Sequence, residues 1–245
     1  MIAAPNHFIV FDGQNLADWG LHISGDKTFG APERDVDEVE VPGRDGTLTY
    51  DKGRFKNYTL EYDGGIVCED ERSLEVMLGK IRSYLCSRVG YKRLEDTYHP
   101  EEYRLAKFVG GLDPDVVQLL GGTFTLEFDC KPQRFLKDGE EVKTLTASGT
   151  LYNLTDYNSK PLLRIYGSGD VEVGGYKVTI TDKPDSYDYI DVDSDIQDCE
   201  YDSINCNQYV TLKSEEFPLL EPGLNNIVLG SGISKVEITP RWYTI

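Results

Sequence analysis

The chain has 245 residues, 39% hydrophobic and 28% charged, with 43 acidic against 25 basic side chains and a net charge of −18. That composition suits a folded chain with a real core and gives no general attraction for nucleic acid or anionic lipid. One of the longest apolar runs, Val116-Val117-Gln118-Leu119-Leu120, falls far short of the about 20 residues a membrane helix needs, and residues 1–7 lack a secretory signal's basic start and apolar stretch; folding in a cytoplasm and no membrane insertion are expected.

Sixteen tyrosines, nine phenylalanines and 24 glycines favour short strands joined by tight turns. The first expected strand is His7 to Phe11. Val41-Pro42-Gly43-Arg44-Asp45-Gly46 follows, with Pro-Gly suited to the centre of a type II turn, and Thr47 to Tyr50 alternates behind it. Pro32-Glu33-Arg34 lies upstream, so Arg34 and Arg44 flank an acidic strand. A solvated hairpin accounts for this pattern. The alternative is a latch between subunits, in which an arginine reaches a neighbour's carboxylate, with Arg34, Pro42, Gly43, Arg44 and Gly46 as its residues. Tyr58 to Tyr62 is the next strand.

From Glu69 to Ser87 the period changes. Leu74, Met77, Leu78, Ile81, Tyr84 and Leu85 form one apolar stripe, acidic residues open the segment, Arg82 and Arg88 lie toward its end, and Gly90 supplies a stop. This predicts one amphipathic helix packed on a sheet. Gly110-Gly111 and Gly121-Gly122 are expected to be turns around a strand at Val116 to Leu120. Phe124, Leu126, Phe128 and Cys130 then alternate with polar residues, which predicts a half-buried antiparallel strand.

A polar stretch from Arg134 to Ser148, punctuated by Pro132, Gly139 and Gly149, marks a domain boundary. Beyond it, Leu162 to Tyr166, Tyr209 to Lys213 and Val236 to Thr239 read as strands, and Val171 to Ile180 folds about Gly174-Gly175 into a tight hairpin. The fold class is mainly β: a first part with one helix, then an all-β sandwich or barrel.

Signals for chemistry are weak. The five cysteines are odd in number and include no CxxC, which argues against a disulfide framework or a zinc site; Cys130 reads as core, and a reducing cytoplasm disfavours a Cys199–Cys206 pair. Asp191, Asp193 and Asp195 open like a calcium loop, but Ile196 stands where glycine is needed and Asp202 where a glutamate is needed. The segment reads instead as a strand, Tyr189 to Asp193, with its aspartates outward. His7, His22 and His99 are scattered. Gly167-Ser168-Gly169 and Gly230-Ser231-Gly232 read as turns between strands, not nucleophile elbows. No catalytic residue, metal ligand or cofactor is expected.

The ordered set Phe11-Asp12-Gly13, Trp19-Gly20-Leu21, Pro32-Glu33-Arg34, Val41 to Gly46, Tyr103-Arg104-Leu105-Ala106 and Phe128-Asp129-Cys130-Lys131-Pro132 resembles the N-terminal half of siphophage distal tail proteins (Dit). Lys160-Pro161, Ile165 to Asp170, Phe217 to Gly223 and Ile238-Thr239-Pro240-Arg241-Trp242 continue the likeness, so it covers essentially the whole chain. The resemblance implies a ring-forming belt domain at 1–137, to which a hairpin and the helix contribute, and a galectin-like β-sandwich at 138–245. In some relatives the last strand returns to the belt domain, and for residues 236–245 both paths stand open. The implied protein is a structural, non-enzymatic virion component. It forms a homo-hexameric hub between the tail tube protein and a tip or adhesin protein, with receptor-binding proteins as further partners. It is made in the host bacterial cytoplasm, resides in the tail tip or baseplate, and meets DNA only in transit through its lumen. An acidic lumen is the corresponding electrostatic expectation.

Two other readings stand beside it. A carbohydrate-binding module in host adsorption would stack sugars on tyrosines such as Tyr152, Tyr157, Tyr166, Tyr176 and Tyr209. A wall hydrolase would need two carboxylates at a fixed separation in a cleft, and no motif supports it.

Overall fold

A computed structural model describes residues 7–25, 30–67, 71–110, 112, 115–116 and 121–245. The chain divides into two units, Met1–Arg134 with Ile245 and Phe135–Thr244.

The sheet of the first unit runs in the order Gln14–Asn15, Ile9–Phe11, Lys92–Asp96, Glu102–Gly110, Gly121–Leu136, Tyr58–Val67 and Leu21–Ile23. Its longest strand, Gly121–Leu136, buries Phe124, Leu126, Phe128 and Cys130, as their alternation predicts. Leu126 lies opposite Tyr62 and Phe128 opposite Leu60. The Phe128 ring meets Phe11 at 5.2 Å and the edges of Phe108 and Tyr62 at 5.7 and 6.0 Å. The helix Glu71–Ser87 turns its predicted stripe to this core: Leu74, Ile81 and Leu85 are buried, with Met77, Leu78 and Tyr84 packed beside them. Full burial of each large side chain contributes about 1.5–3 kcal/mol, which fixes the helix to the sheet. The Tyr84 hydroxyl also donates to the Phe11 carbonyl at 2.9 Å.

Of the expected Gly110-Gly111 turn, Gly110 ends the strand Glu102–Gly110 while Gly111 lies outside the described residues. One sequence expectation needs correction here. Gly121 and Gly122 are not a turn; they open the long strand, opposite Val67 and Ile66. Gly122 also pairs with Val116 on the other side, so it stands between two strands. Asp115–Val116 is a strand, while the rest of the expected 116–120 segment, like Glu69 and Asp70 before the helix, lies outside the described residues.

The second unit is a β-sandwich. One sheet runs Lys143–Leu145, Ile233–Thr239, Leu162–Gly167, Tyr189–Asp193, Asp198–Tyr201 and Ile204–Asn205; the other runs Gly149–Asn153, Gly223–Leu229, Gly169–Val173, Tyr176–Ile180 and Val210–Leu212. Their inward side chains, among them Leu163, Ile165, Val171, Val173, Ile190, Val192, Ile227 and Val236, form one core. Gly169–Val173 and Tyr176–Ile180 make the predicted hairpin, with φ of 59° and 92° at Gly174 and Gly175. Tyr209 closes a short 3-10 turn, Asn207–Tyr209, so the strand expected from Tyr209 is only Val210–Leu212.

The two Gly-Ser-Gly sequences are turns between strands and interlock. Ser168 N–H donates to the Gly232 carbonyl at 3.2 Å. A Cβ on Gly167 would collide with the Gly232 carbonyl oxygen, and one on Gly232 with that of Ser168. At the other end of the unit, Leu136 N–H donates to the Trp242 carbonyl at 2.9 Å and Arg241 N–H to the Gly139 carbonyl at 2.7 Å. Tyr243 stacks on Tyr157 at 5.6 Å and packs against Phe135 at 6.0 Å. The first and last residues of the unit are thus clasped to one another.

Candidate assembly interface

Arg34–Glu40 and Thr47–Phe55 form a two-stranded sheet of their own. Arg44 N–H donates to the Val41 carbonyl at 3.1 Å, and Gly43 takes φ 83°, so Pro42-Gly43 is the type II centre that the sequence predicts. An isolated hairpin is at best marginally stable in water. What stiffens this one at its base is charge. The Arg34 guanidinium grips Asp51 with Nε at 3.0 Å and Nη2 at 2.6 Å and lies over the Phe55 ring at 4.8 Å. Arg54 reaches Asp35 at 2.8 Å, and Lys52 reaches Asp37 at 2.7 Å and Asp35 at 3.4 Å. The Arg54 and Lys52 contacts hold the Asp35 carboxyl below its ordinary range, and Arg34 does the same for Asp51.

The far half of the hairpin is different. Val39 pairs with Leu48 and Asp37 with Tyr50, so Val39, Leu48 and Tyr50 share a face, with Val41 two residues beyond Val39. All four are exposed. A small sheet with an uncovered apolar face and unpaired edges offers both side-chain area and ladder hydrogen bonds to another chain. Of the residues expected to act in assembly, Arg34 is spent inside its own hairpin. Pro42, Gly43 and Gly46 shape the tip, with Gly46 at φ 78°. Arg44 is exposed there and, among the described residues, has no carboxylate partner. Sequence reading passed over Val39, Val41, Leu48 and Tyr50, although their period of two on either side of Pro-Gly carried the signal.

Elsewhere, residues with chemical potential are neutralised. Asp191, Asp193 and Asp195, the calcium-like triplet, meet three cations: Arg164 at 2.8 Å, Arg241 at 2.6 Å and Lys160 at 3.3 Å. Asp191 is buried beneath its arginine and not simply turned to water, because the bidentate pair shields it. Of the tyrosines considered for sugar stacking, Tyr166 carries the Lys235 ammonium at 3.9 Å from its centroid and Tyr157 is stacked on Tyr243. Tyr152 is exposed.

In the first unit, Asp96 is buried. It accepts from the Tyr62 hydroxyl at 2.7 Å, from Arg104 at 2.9 Å and from the His99 amide at 2.8 Å, while the Arg104 Nε donates to the Tyr58 hydroxyl at 3.0 Å. Burial alone would raise the Asp96 pKa; Arg104 and Tyr62 outweigh it and hold the carboxyl below its usual value. Burial pushes the nearby Cys130 thiol up to about 12, so it stays protonated and is no nucleophile. Cys199 is pushed up to about 12 in the same way. Among the described residues, no three side chains gather as metal ligands.

Residues 14–130, just under half of the chain, match the family model of the phage tail protein RIFT-related domain. The whole chain has the fold of a siphophage distal tail protein. The solved SPP1 Dit protein, described as a paradigm of the hub adsorption apparatus in phages infecting Gram-positive hosts, is similar over 98% of this chain and 100% of its own, at TM-score 0.73 and 15% identity. The phage P2 baseplate in its activated conformation with calcium matches over 95% of this chain and 96% of its own, at TM-score 0.55 and 9% identity. The same baseplate with strontium matches over the same shares, at TM-score 0.54 and 8% identity. No curated protein matches the sequence.

Proposed function

We propose that this protein is a non-enzymatic hub of a phage tail tip or baseplate, in which six copies close a ring through their N-terminal units. The observation that carries the reading is the hairpin. Its base is fixed by ion pairs while its far half presents Val39, Val41, Leu48 and Tyr50 as exposed side chains. In the ring this half lies on the neighbouring copy, and Arg44 supplies the charged contact at the tip. The ring joins the tail tube to tip or adhesin proteins, and DNA crosses its centre. The family-model match over residues 14–130 and the hub role described for SPP1 Dit support this assignment. The second unit is read as the galectin-like outer domain.

Electron microscopy of the purified protein tests it: six-fold particles with a central hole are expected, and particles without six-fold symmetry at every concentration overturn it. Replacing Leu48 and Tyr50 together by lysine, which sets no like charge opposite Asp37, is expected to abolish the ring. The stability of the single chain should change by less than about 1 kcal/mol, because both side chains are exposed and belong to neither core. Rings that persist in that variant remove the hairpin from the interface.

A further inference from the structure

The five-stranded sheet of the second unit ends in Gly149–Asn153, a strand paired on one side only, to Gly223–Leu229, in an unshifted register. Exposed edges are usually blunted by lysine, proline or a bulge. Residues 149–154 read Gly-Thr-Leu-Tyr-Asn-Leu and carry none of these. The outward face beside the edge is mostly apolar, interrupted by the exposed Thr150–Asn226 pair. Tyr152 is 60% exposed and lies directly opposite Leu224, which is 63% exposed; Leu154 is 81% exposed, and Val228 continues the Leu224 side of its strand. Exposed carboxylates adjoin it: Asp156 two residues beyond Leu154, Glu221 three before Leu224, and Glu172, the cross-strand neighbour of Val228. Lys177 lies opposite Glu172 on its other side but is engaged by Asp170 at 2.6 Å, and among the described residues no cation is paired with any of the three.

These features select an occupant. An added strand would complete the ladder along Gly149–Asn153 and lay alternate side chains over Tyr152, Leu154 and Leu224. A second copy of the same edge would bring Asp156, Glu172 and Glu221 into like-charged company, which opposes self-pairing. A strand bearing lysine or arginine at its rim would give each of them a partner. We propose that Gly149–Asn153 is a β-augmentation site for an extended segment of another protein, apolar toward the sheet and basic at its margins. The inference is independent of the ring, since it rests on the second unit alone.

The full-length protein can be tested with a fluorescent octapeptide of alternating lysine and valine, and with a glutamate–valine counterpart as control. The basic peptide is expected to bind, to slow amide hydrogen exchange across residues 149–153, and to lose affinity on raising the salt. The Tyr152→Ser, Leu154→Ser double variant should bind at least ~10-fold more weakly, since a strand's anchors are the side chains it covers. A Glu172→Lys, Glu221→Lys variant should lose the preference for the basic peptide. All four positions are exposed, and circular dichroism will confirm that the variants fold. No binding, equal binding of the acidic peptide, or exchange protection confined to other segments overturns the proposal. So does self-association that Tyr152→Ser, Leu154→Ser removes, because a second copy would then own the edge.

Discussion

Asp96 and Arg104 are buried as a pair, and this makes the first unit sensitive to acid. The folded-state pKa of Asp96 lies below its ordinary 3.8. The stability it contributes is therefore complete above that value and is lost as the pH falls through the lower folded value. Replacing Arg104 by leucine leaves the carboxylate buried with too few partners, at a cost of about 3–5 kcal/mol. Burial then dominates, the Asp96 pKa rises, and the acid limb of the stability curve moves to higher pH. Urea unfolding followed from about pH 2 to 7 reads both effects. An unmoved acid limb would show that Asp96 is not the group titrating. A second contrast concerns Gly167 and Gly175. Both have positive φ, but only Gly167 faces the backbone of another turn; nothing stands within 4 Å of a Cβ on Gly175. Gly167→Ala should cost well over ~1 kcal/mol, and Gly175→Ala clearly less, in thermal melts of the two variants.

At the scale of elements, those with a strong period were legible. The helix shows its stripe because Leu74, Ile81 and Leu85 all face one core, and the long strand shows its alternation because one face is dry. The Gly174-Gly175 and Pro42-Gly43 turns were legible because their chemistry is local. Gly121-Gly122 misled for the same reason. Glycine is a turn signal only when the chain is read alone, and here two flanking strands hold it extended. What the aspartates of the calcium-like triplet pair with was hidden, because Arg164, Arg241 and Lys160 stand 27, 48 and 35 residues away in sequence. The Arg34 grip on Asp51 was hidden likewise, since it depends on a cross-strand register that no single segment encodes. The apolar face of the same hairpin was visible as a pattern but not as a surface, because alternation does not say which face is left uncovered.

At the scale of the whole molecule, charge sets the terms of assembly. Each chain carries −18, and a ring of six multiplies the repulsion that must be overcome. Ring formation is therefore expected at lower protein concentration in about 300 mM salt than in about 25 mM, where the screening length is several-fold longer. Mass photometry across that range checks the sign; rings favoured by low salt would mean that attraction between unlike charges, not burial of apolar area, drives closure. The clasp between residues 135–139 and 241–243 has a mechanical consequence. The two ends of the second unit lie side by side, so tension entering at one and leaving at the other would load the Leu136–Trp242 and Gly139–Arg241 hydrogen bonds first. The sandwich behind them would bear no strain until those bonds had parted.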